Sequence, residues 1–136
     1  MAEKRIILGM PSTSMHDYAK GLNEHYEVIC LNIPADVCFF ARRYRISTAA
    51  IVFEANFLLN VIRKSGKFIE DINQETTAPI IVFCDRLYSP AELEQFSAQV
   101  TSVLHHPAPP HNVLDRILAL QASKARHATA EQPAAS

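Results

Sequence analysis

The chain has 136 residues, 49% of them apolar and 20% charged, which suits one globular domain and excludes wholesale disorder. Thirteen basic and fourteen acidic side chains leave a formal charge of −1, so nothing global drives the chain toward nucleic acid or an anionic membrane. No run approaches a membrane span, and the apolar stretch behind the basic N-terminus is too short for a signal peptide.

Short apolar runs alternate with segments of helical period, the pattern of a parallel α/β sheet. Residues 4–10 hold Arg5-Ile6-Ile7-Leu8, a buried strand bounded by Gly9 and Pro11. Ser14 with Asp17 predicts a helix cap, followed by Met15, Tyr18, Ala19 and Leu22 on one face. Residues 26–32 form a second strand, and 35–45 a second helix with Val37, Phe40, Ala41 and Tyr44 inward. Residues 49–54 are the third strand. One long helical stretch then carries Leu58, Val61, Ile62, Phe68, Ile69 and Ile72, with Gly66 as a weak point in it.

Residues 79–84 are the clearest strand, with Pro79 tolerated as its first residue. Ser89-Pro90-Ala91-Glu92 predicts a capping box opening a helix that carries Leu93 and Phe96. Residues 100–104 make a short fifth strand. After a proline-rich loop, a last helix uses Val113, Leu114, Ile117, Leu118 and Leu120. The domain is expected to span 1–121, with 122–136 a disordered tail lacking apolar periodicity. Five strands and five helices in alternation predict a doubly wound five-stranded parallel sheet. Functional groups in such sheets collect at the C-terminal strand ends, here Gly9-Met10, Glu54, Cys84 and His105-His106.

Cys30, Cys38 and Cys84 are odd in number and form no CxxC pair, which argues against disulfides or structural zinc. Each sits in apolar sequence as a small hydrophobe, and a reducing cytoplasm is expected. The cluster Arg42, Arg43 and Arg45 reads as the solvated end of a helix. Binding of nucleic acid through it would be steeply salt-dependent.

At its strand ends the chain resembles the receiver domains of bacterial two-component response regulators, over residues 4–121. The segment Leu104-His105-His106-Pro107, a short loop and an amphipathic helix has that family's rhythm, with His106 in place of its lysine. Spacing agrees: 44 residues from Met10 to Glu54, 30 to Cys84 and 22 more to His106. The resemblance implies a (βα)5 fold of strand order 2-1-3-4-5, and a cis bond between His106 and Pro107.

The departures from that family are informative. Gly9 and Met10 stand where two carboxylates should hold Mg²⁺, a cation that wants oxygen ligands. Glu54 replaces the phosphoacceptor aspartate and is one methylene too long for the aligned geometry. Cys84 replaces the hydroxyl residue, His106 the lysine, and Val103 the aromatic switch. Aspartyl phosphorylation is therefore not expected. The resemblance implies a phosphorylation-independent pseudo-receiver, not an enzyme, that signals through a protein partner or as a homodimer. By resemblance, partners would meet Glu92, Gln95, Gln99, His111, Asn112, Asp115 and Arg116.

Other readings stay open. Glu54 also reads as a standing substitute for phosphoaspartate, or, paired with His106, as a modest pH switch. The alternative reading of this sheet edge is an unrecognised enzyme or phosphocarrier site. The loop from Gly9 to Ser14 is similar to that of sugar-phosphotransferase IIB phosphocarriers, but it lacks their cysteine. His16, His105, His106 and His111, with Cys84 and Glu54, match no ligand spacing. No metal or cofactor is expected.

Overall fold

A computed structural model describes the backbone of residues 5–135; the side chains of residues 12–14, 106 and 124–135 are outside the described set. Five parallel strands form one sheet of order β2-β1-β3-β4-β5: β1 (Arg5–Gly9), β2 (Glu27–Leu31), β3 (Thr48–Glu54), β4 (Ile80–Cys84) and β5 (Ser102–Pro107). The helices are α1 (Ser12–Leu22), α2 (Pro34–Arg43), α3 (Ala55–Lys64), α4 (Phe68–Glu75), α5 (Pro90–Glu94) and α6 (Pro110–Ala135). The predicted doubly wound sheet and its strand order are thus the observed ones.

Every residue of the central strand β3 is buried, because helices cover both faces and a Thr-Ala-Ala-Ile-Val-Phe run can fill both sides. Alternation splits the core into two layers. Ile7, Ile51, Phe53, Ile80 and Val82 face α2, α3 and α4. Ile6, Leu8, Met10, Ala50, Val52, Ile81 and Phe83 face α1 and α6. Gly21 sets the approach of those two helices: a Cβ there would lie 2.5 Å from Pro110 Cβ.

Several local expectations are corrected. α1 begins at Ser12 with Pro11 as its N-cap and no side-chain cap bond, so Ser14 lies inside the helix. The stretch after β3 is two helices, giving six in all. Ser65 is extended and a Cβ built on Gly66 would meet nothing within 4 Å, so the break follows helix propensity rather than crowding. The Ser89 capping box forms as predicted, but α5 lasts only five residues. Leu118 is 51% exposed: the buried stripe is Val113, Leu114 and Ile117, and Leu118 falls one helical step off it. Cys30 is exposed because β2 is an edge strand, whereas Cys84 is buried.

β5 starts at Ser102 instead of residue 100, since Thr101 closes the turn by exchanging bonds with Ile80. The helical backbone of α6 runs past residue 121, where the sequence reading ended the domain; its Ala, Lys, Arg and Gln are good helix formers. Among the described residues its apolar packing extends to Leu120.

Candidate functional site

The C-terminal ends of β1, β3 and β4, with the end of β5 and the loop after it, line an open cavity of about 340 Å³. Met10, Tyr18, Glu54, Phe83, Cys84, Asp85 and Pro107 to Pro109 line it. Three sequence-predicted positions, Met10, Glu54 and Cys84, therefore meet. Gly9 does not join them. Strand alternation turns it to the other face, where a Cβ would lie 2.7 Å from the Phe53 ring and 3.1 Å from Phe57.

His106 is placed by an irregularity in the sheet. Phe83 pairs with Leu104, but Cys84 pairs with Pro107, so two extra residues bulge from β5. Pro107, not His106, stands beside Cys84. The His106 side chain lies outside the described residues, and with it the Glu54–His106 switch. No peptide bond among the described residues is cis, against the cis bond expected before Pro107; the added bulge residues let the chain turn on the ordinary trans form. Val103 is half-buried beside Val82 in the α2–α3 layer.

Glu54 ends β3 and is the N-cap residue of α3, and it is 7% exposed. Burial pushes its carboxyl above the usual range, and the nearby Asp85 carboxylate adds to the shift. The Phe57 N–H partly offsets both, although no cap hydrogen bond is formed. Burial also raises the Cys84 thiol, as does Asp85, so it stays protonated and poorly nucleophilic.

Tyr18, Asp85 and Tyr88 were missed as site residues. The Tyr18 ring stacks on Phe83 at 4.2 Å, and its hydroxyl donates to the Ala108 carbonyl at 2.9 Å, tying α1 to the loop before α6. Burial, and then Glu54, push its phenol upward. The Tyr88 hydroxyl donates to Asp85 Oδ1 at 2.5 Å. Asp85 was findable, as a carboxylate directly after a strand-end position. Tyr18 resembled ordinary helix core, and only its need for a hydroxyl partner hinted at more.

Glu54→Gln is expected to raise stability at neutral pH by about 1 kcal/mol, by removing a desolvated charge. The folded carboxyl titrates above the unfolded one, so the native state holds the extra proton over that interval. Wild-type stability therefore falls as pH rises through it. The advantage of Gln should grow from acid toward neutral pH and vanish below the unfolded range near about 4. Denaturant unfolding across that range checks this; an advantage independent of pH would contradict it.

The proposed partner residues divide. Asn112, Asp115 and Arg116 meet Leu104 around a shallow depression of about 290 Å³. Arg116 is fixed there by donating to the Ser102 hydroxyl. Gln95, Gln99 and His111 are exposed, but Gln95 and Gln99 lie in turns after α5. Glu92 is occupied by the Ser89 capping box and by Arg86 at 3.3 Å.

Elsewhere, Arg42 makes two 3.1 Å bonds to Glu75, and Arg5 and Arg43 lie against the Tyr44 ring. A larger cavity, about 760 Å³, lies at the opposite edge of the sheet and includes Thr48, Thr76 and Thr101. The hydroxyls of all three are bonded to backbone and so help to fix the loops around it. No group of three or more metal-ligating side chains is found among the described residues. No helix among them is long and apolar enough to cross a membrane.

This sheet order, with its polar groups at the C-terminal edge, is the receiver fold. A response regulator of Burkholderia pseudomallei, solved with a phosphorylated aspartic acid, calcium ion and citrate, is similar at TM-score 0.65 and 17% identity, over 92% of this chain and 75% of that one. A response regulator from Desulfuromonas acetoxidans matches at 0.61 and 15%, over 88% and 96%. The Vibrio cholerae chemotaxis protein CheY4 matches at 0.60 and 17%, over 87% and 98%. No family model matches the sequence, and no curated protein matches it.

Proposed function

We propose that this chain is a receiver-fold signalling module that acts without aspartyl phosphorylation, through contact with a partner protein in a bacterial regulatory pathway. The observation that carries this reading is Met10. Its side chain, 2% exposed, fills the end of β1 beside Glu54, where phosphoryl transfer would need oxygen ligands for a divalent cation. The thioether is a soft donor that such a cation does not favour.

Two further features agree. The Glu54 carboxyl is desolvated beside a second carboxylate, and both raise the cost of its ionised, nucleophilic form. The Cys84 thiol offers no activated alternative, which weighs against an enzyme or phosphocarrier. Output then depends on the surface, where Asn112, Asp115 and Arg116 converge beside Leu104. On this reading regulation passes through a protein bound at that surface, in the cytoplasm.

The test is incubation with acetyl phosphate and Mg²⁺, followed by intact mass, for the wild type and for Glu54→Asp. Neither is expected to gain a phosphoryl group, because the aspartate variant still has Gly9 and Met10 on β1. A phosphoryl adduct on either protein would overturn the reading.

A further inference from the structure

We propose that the cavity at the C-terminal edge of the sheet receives a lysine or arginine side chain from a partner protein. This rests on the reading above, in which the cavity holds neither a phosphoryl group nor a divalent cation.

Two carboxylates line this one cavity. Glu54 is 7% exposed and makes no ion pair among the described residues, where only the Phe57 N–H favours its charged form. Asp85 accepts one bond, from Tyr88, on Oδ1; its other oxygen takes none among the described residues. The nearest candidate counter-charge on the same loop, Arg86, is turned elsewhere. It donates to the Leu87 carbonyl at 2.9 Å, pairs with Glu92 at 3.3 Å and lies 3.9 Å over the Tyr88 ring.

A desolvated carboxylate without a counter-charge is unfavourable, and a cation at hydrogen-bond distance relieves that cost. The shape of the cavity selects the kind of cation. Its volume, about 340 Å³, far exceeds that of a bare metal ion. Met10, Phe83, Ala108, Pro107, Pro109 and the Tyr18 ring give it apolar walls on an open site. An ammonium or guanidinium on an aliphatic stem matches both parts: the stem lies against apolar wall while the head meets carboxylate.

The surroundings favour a polypeptide as the source of that side chain. Leu87, 69% exposed, stands two residues from Asp85, and Pro107 and Pro109 are exposed on the loop facing it. A chain carrying the basic residue would cover these apolar groups, which a free amine would leave in water.

The experiment titrates the full-length protein, followed by amide and methyl NMR, with N-acetyl-arginine N-methylamide, its lysine counterpart and the uncharged norleucine counterpart. Saturable shifts at the Met10 methyl and the Glu54 and Asp85 amides are expected with the charged probes alone. Glu54→Gln and Asp85→Asn should each weaken binding about tenfold or more. Acetyl-Leu-Arg-Leu-amide should bind more tightly than the single residue, and Leu87→Ser should remove that gain.

No saturable shift, or an equal response to the norleucine probe or in both charge variants, would overturn the proposal. Equal affinity for the single residue and the tripeptide would overturn its assignment to a protein partner. A phosphoryl adduct after acetyl phosphate would instead remove the reading on which it rests. Absence of both adduct and probe binding sinks this inference alone.

Discussion

Replacing Gly9 with aspartate, the residue type that phosphoryl chemistry would require there, is expected to destabilise the domain by about 3 kcal/mol or more. The steric part comes first. A Cβ on residue 9 would sit 2.7 and 2.8 Å from two atoms of the Phe53 ring and 3.1 Å from Phe57. Phe53 is fully buried and held between Phe57 and Phe68, with ring centroids at 6.0 and 5.6 Å, so it has no room to retreat. The electrostatic part adds to this, because the new carboxylate would face aromatic carbon with no described cation beside it.

Urea unfolding of the wild type, Gly9→Ala and Gly9→Asp separates the two parts. Alanine should cost about 1–3 kcal/mol and aspartate more. An aspartate variant within about 1 kcal/mol of wild type would mean that the end of β1 opens more readily than its packing indicates. The consequence for function is direct: the metal-binding acid at this position is opposed by the core itself.

The second large effect is expected at Phe96, where substitution by alanine should cost about 3–5 kcal/mol. α5 has only five residues and no buried side chain of its own, so it cannot hold the segment between β4 and β5 in place. Phe96, fully buried just beyond that helix, anchors the segment to the α2–α3 layer, with Leu93 and Val100 packed partly beside it. Its loss should strip hydrogen-exchange protection from residues 89–101 before the rest of the sheet responds. The surface carrying Glu92, Gln95 and Gln99 would then lose its fixed shape. Uniform loss of protection across all five strands would show instead that Phe96 belongs to the global core.

The strands were legible because each is a short run of branched and aromatic residues between turn formers, and both helical layers impose the same demand on every buried strand. Ser89-Pro90-Ala91-Glu92 was equally legible, since a capping box is closed by residues three apart. The helix breaks were harder. Gly66 weakens a helix wherever it lies, but whether the chain turns there depends on Phe68, Ile69 and Ile72 finding the sheet again. For the site, position along the chain located Glu54, Cys84 and Met10 correctly at one edge, while the facing of Gly9 depended on strand alternation.

The amino-acid sequence by itself determined the alternating strands and helices, the sheet they build, and the lack of side-chain oxygens at Gly9 and Met10. These follow from residue type and local period. Tertiary structure alone decided that Glu54 and Asp85 line one cavity, that Tyr18 from α1 reaches over to Ala108, and that a bulge sets Pro107 rather than His106 beside Cys84. Those outcomes depend on groups far apart in the chain sharing one small volume. Their desolvation and mutual charge exist only once the sheet has closed over them.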